Sequence, residues 1–216
     1  MPGFGPAELL DCYRTGIFPM ADSADDPRIY LVDPPERANI PLDGFHIPRR
    51  LKRTVRQDRF SITVNQDFAA VLDACAAPAP DRRNTWINAP IRWLYTELHR
   101  MGHCHSVECR IGGQLAGGLY GVSLGAAFFG ESMFSRATDA SKVALVHLVA
   151  RLKTGGFELL DAQFMTDHLT QFGTDEVPAD IYRERLARAV EKNADFFRMP
   201  DGASGAYALQ SIGQTS

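Results

Sequence analysis

His105–Phe134 reads HSVECRIGGQLAGGLYGVSLGAAFFGESMF, and its punctuation decides the fold. Gly112-Gly113 and the Ser123–Gly125 region suit hairpin turns, and they cut the stretch into three runs rich in aliphatic, β-branched and aromatic residues. Three antiparallel strands follow from that spacing. Immediately downstream, Asp139–Gly156, DASKVALVHLVARLKTGG, changes period. Val143, Leu145, Val146, Leu148, Val149 and Leu152 form a broad apolar helix face, with Asp139 or Ser141 as an N-cap and Gly155 as a stop. FELLDAQ, Phe157–Gln163, reads as a buried strand. Meander, helix and strand in this order make an α+β chain.

Upstream, FSITVN alternates as a strand, QDFAAVLDACAA is a helix, PAPDRRN a loop and APIRWLYTELHRMG a second amphipathic helix closed by Gly102. Nearer the start, PAELLDCYRTGIF predicts a short helix over Pro6–Thr15, ended by Gly16 and Pro19. ADSADDPRIYLVDPPER, with its acids and prolines and no helical period, reads as a connection from a small N-terminal piece to the rest. The Gly- and Ser-rich tail after Met199 is expected to be loosely held. The meander, helix, strand order resembles the acetyltransferase-like (GNAT) α+β fold.

A chain of 216 residues sustains one core with a small appendage. Its 45% hydrophobic and 23% charged residues are ordinary for a soluble protein, and no apolar run approaches the roughly 18–20 residues of a membrane span. The first residues lack a secretion signal, and Cys12, Cys75, Cys104 and Cys109 are scattered rather than arranged as a disulfide framework. A cytoplasmic protein is expected. A net charge of −3 excludes a globally basic nucleic-acid surface. Within Arg49–Arg59, however, Arg49, Arg50, Lys52, Arg53, Arg56 and Arg59 face one acid, Asp58, and such a run suits either phosphates or a solvated helix face.

Two constellations stand out. In LLDAQFMTDH, Asp161 and Gln163 are two apart at the end of an apolar strand, so alternation puts both on one face, either towards a cleft or at a surface turn. Glu131 stands between Phe128, Met133 and Phe134, where an acid in an apolar wall suits a ligand that is amine-bearing at one end and hydrophobic at the other; pairing with Arg136 or Lys142 is the surface alternative. His103, Cys104, His105 and Cys109 fit neither usual paired zinc spacing, so no metal is expected. GESMF lacks the last glycine of a nucleophile elbow, which leaves a Ser132, His168, Asp161 hydrolase weakly supported.

LLDCYRTGIFP, NTWI, HCHSVE, GGLYGV, FFGESMFS, ASKVAL and DAQFMTDHLTQFG occur in the order found in the leucyl/phenylalanyl-tRNA–protein transferases, and the chain resembles that family from about Leu9 to Arg188. The resemblance implies a small N-terminal domain over 1–35 and a GNAT-like catalytic domain over 36–216 that uses no coenzyme A or other cofactor. It implies transfer of leucine or phenylalanine, with methionine as a third substrate, from aminoacyl-tRNA to proteins beginning with Lys or Arg, marking them for N-end-rule degradation. Asp161 and Gln163 match the catalytic pair and Glu131 the acid of the substrate pocket. Phe128, Met133, Leu119, Leu145, Leu148, Leu152 and Leu160 fall where the family lines that pocket, Trp86 matches an aromatic near the terminal adenosine, and Tyr13 lies in the N-terminal motif. The run Arg49, Arg50, Lys52, Arg53 and Arg56 becomes the candidate tRNA track. Met20 and Leu31 stand where many members carry tryptophan. The rival readings are a GNAT-type acyltransferase, for which FSRATDASK is a poor pyrophosphate cradle, and a non-catalytic tRNA-binding protein.

Overall fold

The computed structural model describes residues 3–78 and 84–214, so the loop expected over 78–84 falls largely outside the described residues. The meander forms as β5 (Cys104–Ile111), β6 (Gln114–Leu124) and β7 (Ala127–Ser135). Gly112 and Gly113 turn the first hairpin at φ 56° and 80°, a left-handed geometry that glycine adopts without a Cβ penalty. After α5 (Ala140–Gly155) comes a short buried strand, β8 (Leu159–Asp161), parallel to β7. Strands β4 (Ser61–Val64), β3 (Glu36–Asn39) and β9 (Asp175–Pro178) complete a seven-stranded mixed sheet in the order β4-β5-β6-β7-β8-β3-β9, antiparallel at every other junction.

Both faces of the sheet are covered, because successive strand side chains point to opposite sides. Phe129 and Leu159 enter a core shared with α1 (Pro6–Arg14), α3 (Phe68–Ala76), α4 (Ala89–Arg100) and α7 (Ala179–Val190). Phe128 and Leu160 enter the opposite core, under α2 (Arg49–Arg56) and α5. The apolar face of α1, with Leu9 and Tyr13, packs into the first of these cores beside Ile91 and Tyr95 of α4. Among the described residues no helix is long and apolar enough to cross a membrane.

Four local expectations need correction. The acidic, proline-rich stretch carries β2 (Tyr30–Val32), paired with β1 (Phe18–Met20), and the start of β3, since pairing partners outside the stretch supply what its own composition lacks. Neither Asp139 nor Ser141 caps α5 with its side chain: Asp139 sits at the N-cap in the left-handed region (φ 68°) and accepts from Arg50, while the Ser141 N–H finds Ser135 Oγ at 3.3 Å. The tail folds as α8 (Gly205–Gly213), capped by Ser204 Oγ; a Cβ on Gly205 would lie 1.9 Å from the Val55 carbonyl oxygen, so this glycine lets α8 lie directly on α2. Gln163 is not a strand residue, because β8 ends at Asp161.

Candidate active site

The cavity opens where the sheet splits. Strands β7 and β8 pair from Ala127↔Leu159 to Phe129↔Asp161, after which β7 runs on to Ser135 while the chain leaves β8. The edge of β7 from Gly130 to Met133 is thus left facing a cavity of about 270 Å³. Against β6, Gly121 pairs with Gly130 but Tyr120 pairs with Ser132, so Glu131 is the extra residue of a β-bulge. A bulge re-aims the side chain it carries. Here it turns Glu131 towards α1 and α4, where Tyr13 donates to Oε1 and Tyr95 to Oε2, each at 2.6 Å. The two hydroxyl oxygens are themselves 2.9 Å apart.

Burial pushes the Glu131 carboxyl up to about 7, against the pull of both tyrosine hydroxyls, which favour its charged form. Both tyrosines are pushed up in turn, by burial and by the facing carboxylate. Neither Arg136 nor Lys142 is the partner of this acid: Arg136 bonds the Leu115 carbonyl and Lys142 pairs with Asp139.

Asp161 and Gln163 meet in a way that strand alternation does not foresee. Gln163 adopts φ 58°, a left-handed conformation uncommon for a residue with a Cβ. Its N–H donates to Asp161 Oδ1 at 2.9 Å, its carbonyl accepts from Ala38 at 3.1 Å, and its Nε2 donates to Glu131 Oε1 at 3.4 Å. Asp161 has no exposure, and it is paired with a guanidinium just as buried, that of Arg37 at 1%. Arg37 Nε donates to Oδ1 at 3.3 Å, Nη2 donates to Oδ2, and Tyr182 donates to Oδ2 at 2.9 Å. The remaining arm of Arg37 donates to the Gly16 carbonyl, and its plane lies over the rings of Tyr182 and Phe18, 4.3 and 5.0 Å from their centroids. Gly16 is required there: at φ 85°, a Cβ would meet Tyr182 at 2.7 Å. Arg37, Tyr95 and Tyr182 are not legible as site residues in the sequence. Their one available signal was a charged or hydroxylated residue inside an otherwise apolar run, and for Arg37 even that is missing.

Of the residues expected to line a pocket, Leu119, Met133, Leu145, Leu148 and Leu160 do line the cavity, and half-buried Trp86 stands on its wall. Phe128 and Leu152 do not. Phe128 stacks on Phe196 and Leu152 has no exposure, both deep in the core behind the cavity. Tyr13 acts through Glu131 rather than as lining. Phe18, Met20, Phe164 and His168 complete the rim; the Phe18 and Phe164 rings meet edge-on with centroids 5.6 Å apart. His168 Nε2 is buried with no partner among the described residues, and burial together with Lys142 holds this imidazole below its ordinary pKa. Ser132 and His168 share the cavity with Asp161, but both Asp161 oxygens are already engaged by Arg37, Tyr182 and the Gln163 N–H, so the geometry does not assemble a Ser-His-Asp relay. In the HCHSVEC stretch, His105 bonds Asn65 and Ser123 and stacks on Phe196, while Cys104 and Cys109 enter opposite cores.

Arg49, Arg50, Lys52, Arg53 and Arg56 are exposed along α2, whose Leu51 and Val55 are buried. Arg50 reaches Asp139 at 3.2 Å, and Lys142 meets the same carboxylate at 3.5 Å. Arg50 of α2 and Lys142 thus meet at Asp139, the N-cap of α5, the helix whose Leu145 and Leu148 line the cavity.

A family model described as leucyl/phenylalanyl-tRNA protein transferase matches residues 39–187, and one described as the N-terminal domain of that transferase matches residues 4–35. The leucyl/phenylalanyl-tRNA–protein transferase of Maricaulis maris is 62% identical over 216 residues, covering 100% of both chains. Its counterpart from Phenylobacterium zucineum is 59% identical over 222 residues, again 100% of both. The protein so named from Hyphomonas neptunium is 59% identical over 213 residues, 99% of this chain and 81% of its own.

Proposed function

The chain belongs to the leucyl/phenylalanyl-tRNA–protein transferase family of aminoacyltransferases, and from that premise we propose that it moves leucine or phenylalanine from its tRNA ester to the α-amine of proteins beginning with Lys or Arg, marking them for N-end-rule degradation. The observation that carries this reading is the pairing of an apolar cavity with one polar corner, Gln163 and Glu131, at the split of the sheet. The aminoacyl side chain lies against Leu119, Met133, Leu145, Leu148 and Leu160, and its carbonyl faces Gln163. The parallel pair β7–β8 that diverges to make room supports a GNAT-like architecture. The two family matches meet near residue 35 and support a division into 1–35 and 36–216.

In this reading the acceptor nitrogen attacks the ester carbonyl, the carbon–oxygen bond to the tRNA ribose breaks, and the ribose hydroxyl leaves. The nitrogen grows more acidic as it attacks and sheds one proton. The Gln163 amide, held at Nε2 by Glu131, presents its oxygen to the amine hydrogens and aligns the lone pair. An ester is already activated, so no ATP is consumed. The test is transfer of labelled leucine and phenylalanine from charged tRNA to a Lys-initiated peptide without ATP. Transfer is expected; its absence, or equal use of an Asp-initiated peptide, overturns the reading.

The cavity wall sets a selectivity. Leucine and phenylalanine both have an unbranched β-carbon, and flexible Met133 accommodates either shape. Isoleucyl- and valyl-tRNA are expected to be used about ten- to two-hundredfold less well, the usual scale for one misplaced methyl group in an apolar pocket. Met133→Ile, stiff at χ1, is expected to shift the leucine to phenylalanine ratio in a competition assay; an unchanged ratio would remove Met133 from the selecting wall.

For the tRNA track, Arg49→Glu/Arg53→Glu leaves the Arg50–Asp139 pair in place and reverses two exposed charges on α2. Binding of charged tRNA is expected to weaken similarly for leucyl and phenylalanyl forms, with a slope of log affinity against log salt that is shallower by about one unit for each phosphate no longer neutralised. An unchanged slope places the backbone track elsewhere.

A further inference from the structure

Asp161 is the acid that the sequence pairs with Gln163, yet its hydrogen bonds run to the Gln163 backbone and not to the Gln163 amide. Resting on the transfer reading above, we propose that Asp161 acts as a backbone latch that fixes the left-handed turn at Gln163, and that Arg37, together with Tyr182, is the positioning residue that holds the latch closed.

Three observations carry this. Both oxygens of Asp161 are consumed: Oδ1 takes the Gln163 N–H and Arg37 Nε, and Oδ2 takes Arg37 Nη2 and the Tyr182 hydroxyl. Asp161 stands on the cavity wall, but with two donors on each oxygen its carboxylate has no acceptor site left for a substrate. The Gln163 amide turns instead to Glu131.

The second observation is the turn itself. Glutamine at φ 58° is sterically disfavoured and persists where its surroundings hold it. The holding groups are Asp161 Oδ1 on the N–H and Ala38 on the carbonyl, one residue from Arg37 on the same strand. Releasing the N–H frees the turn to relax, which swings the amide away from the polar corner of the cavity.

The third is the reach of Arg37. One guanidinium joins β3 to β8 through Asp161, to α7 through Tyr182, and to the N-terminal segment through the Gly16 carbonyl and the Phe18 ring. Phe18 is on the cavity rim. The same side chain therefore registers the aromatic wall against the turn that carries Gln163.

The test separates a latch from a charge that polarises the amide and from an ion pair that only stabilises the fold. Transfer kinetics and Tm are measured for the full chain and for Asp161→Asn, Arg37→Met, Arg37→Met/Asp161→Asn and Arg37→Met/Asp161→Leu. Each single change strands a buried group without its partner. Both are expected to lower Tm and to lower kcat about 10²-fold, the cost of misplacing a group that orients the reactants. Arg37→Met/Asp161→Asn buries no lone charge and keeps an amide oxygen to accept the Gln163 N–H. With Tyr182 still donating to the side chain at 161, it is expected to regain Tm and about tenfold in kcat over Asp161→Asn, and to stay about tenfold below the unaltered protein for want of Arg37. Arg37→Met/Asp161→Leu regains Tm but has no acceptor, so its kcat is expected to stay low with KM nearly unchanged. If the asparagine double variant transfers no better than Asp161→Asn, the negative charge itself is needed and the latch is overturned. If the leucine double variant recovers kcat as fully as the asparagine one, the pair serves only the fold and the latch is again overturned. Absence of transfer in the unaltered protein removes the reading on which the latch rests.

Discussion

Gln163→Ala is expected to lower kcat for transfer by about 10²- to 10⁴-fold, the range for losing a group that positions and relieves a proton in the transition state. KM for charged tRNA should change little, because the apolar part of the cavity wall and the α2 charges proposed as the tRNA track are untouched. Alanine is also strained at φ 58°, so a loss could arise from a relaxed turn rather than from the missing amide. Gln163→Gly separates the two, since glycine takes this conformation freely. If the amide is the working group, the glycine variant is as slow as the alanine one. Single-turnover transfer with leucyl-tRNA measures both, and near-wild-type turnover by the glycine variant would reassign the role to the backbone.

Transfer is expected to depend on pH through Glu131. Its carboxyl is held near 7 by burial, offset by the hydroxyls of Tyr13 and Tyr95. Only the ionised form accepts from Gln163 Nε2 while taking both tyrosine protons, so kcat/KM, expressed per neutral acceptor amine, is expected to rise about tenfold per pH unit below 7 and to level off above it. The sign for stability is opposite. A carboxyl whose folded value lies above its ordinary 4.5 binds its proton more tightly when folded. Its contribution to stability is therefore complete below about 4.5 and is lost as pH rises through about 7. Glu131→Gln removes the titrating group while keeping an acceptor for one tyrosine. It is expected to flatten the pH profile of transfer and to remove this part of the Tm dependence between pH 5 and 8. A profile that keeps its acidic limb in Glu131→Gln would assign that limb to another group.

Several features of the site are legible in the sequence because they are properties of short spans. Alternation and turn glycines placed the meander, period placed α5, and the polar positions Glu131, Asp161 and Gln163 stood out against apolar neighbours. The cavity leucines are a partial case. Leu145, Leu148 and Leu152 share a helix side, yet only the first two reach the cavity, since Leu152 lies a turn further on, in the closed part of the core.

What the sequence determined by itself is the order of the elements and the chemistry available to them: three strands, a helix and a strand with a carboxylate, an amide and an apolar wall near their ends. Those follow from interactions between residues a few positions apart, whose geometry is repeated in every helix and strand. The tertiary structure decided how that chemistry is aimed. The bulge at Glu131 exists only in the register of β7 against β6, and the left-handed turn at Gln163 only because Asp161 and Ala38 hold it. The partner of Asp161 is 124 positions away in Arg37, and Tyr13 lies 118 from Glu131. A buried charge must find its counter-charge wherever the packed chain brings one, and that pairing has no local signature in the residues on either side.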